Sequence, residues 1–224
     1  MSIVTMILGE SGTGKSTSLR DLNPASTLLI QAIAKPLPFR NPNWQRFSTE
    51  NRNGNIMQSD QSGEIINLMQ KTRRPVIVID DFQYIMANEF MRRTDERGFD
   101  KFTEIGRHAW DILNAAAALP DDKHVYILSH TETTDAGRTK LKTIGKLLDD
   151  KITLEGMVTI VLRTVVRDGN YYFATRNNGS DTTKTPMELF TDELIDNDLQ
   201  AVNAAITQYY YPEPVSNHYQ PETV

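Results

Sequence analysis

Short apolar runs separated by amphipathic stretches recur along this chain, and their alternation predicts its elements. SIVTMIL at 2–8, STLLI at 26–30, VIVI at 76–79 and HVYIL at 124–128 have strand length and carry few polar positions. Unbroken runs of this kind belong to strands buried on both faces of a parallel sheet. Between them, SGEIINLMQ at 62–70 reads as a helix. FDKFTEIGRHAWDILNAAAAL at 99–119 reads as a longer one, with Phe102, Ile105, Ala109, Ile112 and Ala116 at spacings of three and four. Strands alternating with helices predict an α/β fold with a mostly parallel central sheet flanked by helices. VTIVLRTVVRDGNYYFAT at 158–175 adds a late antiparallel hairpin turning at Asp168-Gly169.

In TDELIDNDLQAVNAAITQYY at 191–210, Ile195, Leu199, Val202, Ile206 and Tyr209 step along one face, with acids in the first turns. This predicts an amphipathic C-terminal helix packed on the body. The prolines of AKPLPFRNPNWQRF, after the second strand, predict a loop. The expected organisation is one α/β domain over 1–190, a helix over 191–210 and a mobile polar tail over 211–224.

Composition narrows the class. With 224 residues the chain has room for one full-sized α/β domain. A formal net charge of −5 argues against a protein coated in basic surface, though not against one local nucleic-acid site. The absence of cysteine excludes a disulfide scaffold and thiolate metal sites. A strand begins within a few residues of Met1, leaving no room for a signal peptide, and no apolar run approaches the ~18 residues of a membrane helix. The expected location is cytoplasmic, in the host cell if the gene is a phage's.

One stretch carries chemistry. GESGTGKST at 9–17 directly follows the first strand and matches G-x-x-x-x-G-K-[ST]. Gly9, Gly12 and Gly14 allow backbone close to phosphate oxygens, with Glu10, Ser11 and Thr13 between them. Lys15 supplies charge for the β- and γ-phosphates, Ser16 a hydroxyl for Mg²⁺, and Thr17 joins the phosphate-binding set; STSLRDL reads as a helix start whose N-terminus favours an anion. Asp80, at the end of the VIVI strand, is the expected Mg²⁺ ligand through water, because ligands bind beyond the carboxyl ends of the strands. Asp81 is a candidate to orient the attacking water, with Glu50 and Glu64 as competitors. Ser129 and His130 end the next strand, where a polar side chain would face the γ-phosphate.

Two cationic segments follow these strands. Arg138, Lys140, Lys142 and Lys146 punctuate 131–151, read as a mobile loop around Gly137. They could contact DNA phosphates or reach a neighbouring subunit's nucleotide. Arg92, Arg93 and Arg97 lie in NEFMRRTDERGFD at 88–100, a second expected loop. Arg163, Arg167, Arg176 and Lys184 are weaker candidates for reaching a neighbour's site. Phe90, Phe99, Tyr171 and Tyr172 could stack on bases or pack in the core.

MILGESGTGKSTSLRDL, VIVIDDFQYIM, FDKFTEIGRH, VYILSHTE, IGKLLDDKI and FATRNNGSDTTKTPMELF together resemble the phage-type P-loop ATPases with a RecA-like core, some of them single-strand annealing or recombination proteins of the Sak type. The resemblance spans roughly 1–190. It implies an ATPase using ATP and Mg²⁺, acting as a homo-oligomer on single-stranded DNA, with loops near 84–98 and 131–146 facing DNA. The alternative is a nucleotide-gated loader or adaptor that recruits a helicase or another replication or recombination protein. A nucleotide or nucleoside kinase is disfavoured by the lack of an Arg-rich lid.

Overall fold

The computed structural model describes residues 1–145, 148 and 151–212. The strands are β1 (Ile3–Gly9), β2 (Thr27–Gln31), β3 (Ile56–Gln58), β4 (Val76–Asp80), β5 (His124–Thr133), β6 (Thr139–Leu141), β7 (Ile160–Arg167), β8 (Asn170–Ala174) and β9 (Leu194–Asp196). They form a sheet in the order β3-β2-β4-β5-β1-β7-β8-β9, with β6 beside β5. From β3 to β7 neighbouring strands pair in parallel; β8 pairs antiparallel with β7 and with β9. The fold is therefore α/β, with a mixed, mostly parallel sheet and a late antiparallel edge.

The apolar runs supply both faces of this sheet at once. Met6, Leu8, Leu28, Ile30, Ile77, Ile79, Val125 and Ile127 bury against helices α1 (Ser62–Lys71), α2 (Gln83–Arg92) and α3 (Asp100–Ala117). The alternate positions Ile7, Leu29, Val76, Val78, Tyr126 and Leu128 bury on the other face, against Leu19 and Leu22 and the C-terminal helix Leu199–Tyr210. Strict alternation of side chains across a strand is thus hidden in a continuous run, because both faces are covered. No helix among the described residues is long and apolar enough to cross a membrane.

Four elements differ from expectation. The segment after the glycine loop, Ser16–Asp21, is a 3-10 helix rather than an α-helix. The Ser18 N–H bonds both Gly14 O at 3.0 Å and Lys15 O at 3.3 Å, and Pro24 follows closely. Residues 83–92, taken for the start of a loop, form α2; Phe82, Ile85, Met86 and Phe90 already show helical spacing. The stretch 131–141, read as a mobile loop, folds as a hairpin in which β5 and β6 pair antiparallel. The helix expected from 191 starts only at Leu199, where Asp198 caps it by accepting from Gln200 N at 2.8 Å and Ala201 N at 3.2 Å. The preceding Leu194–Asp196 is β9, which covers the edge of β8 and sets Ile195 opposite Phe173.

Candidate functional site

Strand register builds the site. Pairing of β1 with β5 sets Gly9 beside His130, and pairing of β2 with β4 sets Gln31 beside Asp80. With β5 between β4 and β1, these four residues align along the carboxyl edge of the sheet. The segments leaving them then converge: the loop Glu10–Lys15, Asp81, Thr131 and the stretch 32–38. Together they line an open cleft of about 730 Å³.

The loop is held from three sides. Thr13 Oγ1 lies 2.6 Å from Thr164 Oγ1 on β7. Gly14 has φ of 97°, a conformation that favours glycine. A Cβ there would also sit 2.9 Å from the Tyr171 ring and 3.2 Å from Asn197 Oδ1, so a side chain is excluded twice over. Lys15 curls back, its Nζ donating to Gly9 O at 2.9 Å and Glu10 O at 2.8 Å. Burial lowers its ammonium to about 8, against the opposing pull of Asp81 and Asp80.

Two adjacent acids face this loop. Asp80 is 1% exposed and accepts from Ser16 Oγ at 3.0 and 3.1 Å, tying the glycine loop to the end of β4. Burial, then the charge of Asp81, push the Asp80 carboxyl up. Asp81 holds a left-handed φ of 64°, which turns its side chain back into the cleft as Phe82 enters the core. It pairs with Lys35 Nζ and lies 3.5 Å from His130 Nε2. Burial would raise its carboxyl, but hydrogen bonds with His130 and Lys35 outweigh that and hold it at about 2. The His130 ring packs edge-on against Tyr84, centroids 5.9 Å apart.

Lys35 is the cleft-lining cation that the sequence reading did not single out. Its Nζ bridges Asp81 and Asp80, 3.8 Å from Asp80 Oδ2. Burial works against its charge, but Asp80 and Asp81 hold its ammonium above the usual range. The available signal was its place just beyond a predicted parallel strand, where chain meets the ligand edge.

The remaining candidates are scattered. Ser129 is fully buried and its hydroxyl has no hydrogen-bond partner among the described residues. Glu64 accepts from Ser59 Oγ at 2.6 Å, and neither it nor Glu50 lines the cleft. Arg92 pairs with Asp60 at 2.7 Å, while Arg93 sits among Glu89, Glu96 and Glu104. Lys140 pairs across the hairpin with Glu132 at 3.2 Å. Arg138 is exposed in the turn, Lys142 reaches the cleft, and Lys146 lies outside the described residues. Arg163 pairs with Asp181 at 2.9 Å, and the Arg176 guanidinium donates to Thr191 O at 2.8 Å. Phe90 stacks on Phe102 and Phe99 is exposed.

Chemically, the cleft joins an anion-seeking amine, a hydroxyl–carboxylate pair suited to a hard cation, and a carboxylate–imidazole pair. Among the described residues no group of three or more His, Cys, Asp or Glu could hold a metal by itself. The Ser16–Asp80 pair fits an ion that keeps water and takes further oxygens from a phosphate ligand, as Mg²⁺ does. No family model and no curated protein matched this chain.

Proposed function

We propose that this chain is a Mg²⁺-dependent ATPase of the RecA-like P-loop type, acting in phage DNA recombination or replication on single-stranded DNA as an oligomer. The observation that carries the reading is the Ser16–Asp80 hydrogen bond, which joins the glycine-rich loop to the carboxylate at the end of β4 inside one cleft.

In this reading the loop Gly9–Thr17 holds the phosphates. Lys15 gives up the carbonyls of Gly9 and Glu10 for the β- and γ-oxygens, an exchange its flexible stem allows. Ser16, and Asp80 through water, would hold Mg²⁺, which when bound would neutralise charge gathering on the phosphate oxygens. Asp81, ionised at neutral pH and aligned by His130, accepts a hydrogen bond from the attacking water and orients it. His130, on the strand between those bearing Gly9 and Asp80, is placed to sense the terminal phosphate.

The test is ATP hydrolysis with and without single-stranded DNA. Mg²⁺-dependent turnover that rises with DNA supports the whole reading. Absence of both nucleotide binding and turnover would overturn it. A second reading, the nucleotide-gated loader or adaptor, is favoured by one observation: Arg92, Arg93 and Lys140 are engaged by acids of the same chain. It expects turnover that DNA leaves unchanged and a partner protein stimulates.

A further inference from the structure

We propose that Lys35 is a second phosphate-facing cation of the site, held in the free protein between Asp80 and Asp81 and turned onto the terminal phosphate when Mg²⁺ and nucleotide enter the cleft. This deepens, and rests on, the nucleotide reading above.

Three observations carry it. First, the Lys35 backbone is anchored while its side chain, ion-paired with Asp80 and Asp81, keeps access to solvent. Its carbonyl accepts from Gln31 Nε2 at 3.2 Å and Arg46 Nη2 at 3.4 Å, and Pro36 follows directly. The side chain remains 37% exposed and lines the cleft. A four-carbon stem on an anchored backbone can reorient its ammonium without moving the loop.

Second, Lys35 stands where a divalent ion would compete with it. Asp80 is shared between Ser16 Oγ and the Lys35 ammonium at 3.8 Å. A divalent cation taken up by Ser16 and Asp80 repels an ammonium at that range, and repulsion is strong where water is scarce. The Asp81 contact then acts as a pivot, since Asp81 lies beside the cleft wall that carries Lys35.

Third, the charge count favours a further cation beside the two acids. Asp81 lines the cleft with Asp80 buried behind it, and a triphosphate adds more negative charge than Mg²⁺ and Lys15 together balance; Lys142 reaches the same cleft but no ion pair ties it to these acids among the described residues. Uncompensated charge in a partly dry site is costly. Among the described residues, Lys35 is the lysine that ion-pairs with these two acids.

The experiment compares the full chain with Lys35→Met, Lys35→Gln and Lys35→Arg. It measures binding of a fluorescent non-hydrolysable ATP analogue across a Mg²⁺ titration, and single-turnover ATP hydrolysis. Lys35→Met should still bind the analogue at saturating Mg²⁺, weaker than wild type by at most about fivefold, because one exposed charge contact to the phosphate is gone. Its half-saturating Mg²⁺ should fall about threefold, because a competing exposed cation is gone. Turnover should drop about 10²-fold, the usual loss of one charge-stabilising donor. Lys35→Arg should recover much of that turnover. Lys35→Gln keeps a hydrogen bond to Asp81 and should behave as Lys35→Met does, which supplies the same readouts if the methionine variant folds poorly. Wild-type turnover together with an unchanged Mg²⁺ requirement in the Gln or Met variant overturns the proposal. So does complete loss of analogue binding in a variant that melts normally, since Lys35 would then hold the cleft together, and so does lost turnover with an unchanged Mg²⁺ requirement, since Lys35 would then be only a brace for Asp81. If wild type itself binds no analogue, the nucleotide reading has failed, a result visible without any variant.

Discussion

At the residue scale, the cleft depends on charges held in unusual states. Lys15 is the clearest case, because its ammonium titrates near 8 in the free protein. Phosphate binding needs the charged form, so affinity for ATP should be flat below pH 8. Above it, affinity should weaken by up to about tenfold per pH unit, with a proton taken up on binding. Isothermal titration in buffers of different ionisation enthalpy would show this. Lys15→Ala should abolish turnover, weaken binding by about 10-fold or more, and remove the pH dependence. The two acids should separate by role. Asp80→Asn should raise the Mg²⁺ requirement, since it weakens the pair with Ser16. Asp81→Asn should keep binding and lose turnover; asparagine tolerates the left-handed backbone at 81, so the change tests chemistry rather than strain. Equal loss of nucleotide affinity in both variants would contradict that division.

At the element scale, the C-terminal helix owes its start to one side chain. Asp198→Ala removes the acceptor for Gln200 N and Ala201 N and should cost about 1 kcal/mol, read as a lower midpoint in denaturant. The same boundary shows what the sequence made legible and what it did not. Long apolar runs located β1, β2, β4 and β5, because a strand buried on both faces has no polar position to obscure it, while the Asp168-Gly169 turn located β7 and the partly exposed β8. β3 and β9 are three residues each, too short for any periodicity, and form because neighbouring strands need an edge partner. The step of four from Ile195 to Leu199 mimicked a helix across a strand–cap junction. At the site, the glycine loop, Asp80, Asp81 and His130 were legible because a spaced motif or a strand end marked them. Lys35 was not, since its one signal, a place just beyond a predicted parallel strand, is shared by the whole proline-rich loop until the register of β2 with β4 singles it out.

At the scale of the whole molecule, the basic residues divide into those engaged by acids and those open to a partner. Arg92 and Arg93 are engaged within and around α2, so their substitution should lower stability more than DNA affinity. Arg138 is exposed in the turn of the β5–β6 hairpin, and Lys142 lies at the other end of the hairpin, in the cleft. If single-stranded DNA tracks this face, replacing both with alanine should reduce the slope of log K against log salt by about 1.4, at about 0.7 per contact. Hydrolysis without DNA should be the control readout. An unchanged slope would move the DNA path elsewhere or favour the adaptor reading.

Tyr171 and Asn197, far from Gly14 in sequence, press directly on it, and Asn197 O also accepts from Arg20 at 2.5 Å. The loop and the last strands should therefore open together as one unit. Reciprocity follows from linkage: whatever free energy a ligand gains by ordering the loop, it returns as protection of β8 and β9. Saturating nucleotide should slow amide hydrogen exchange along Asn170–Ala174 and Leu194–Asp196 as much as along the loop itself. Conversely, loosening that distant edge should surface first as faster nucleotide dissociation, long before the fold gives way.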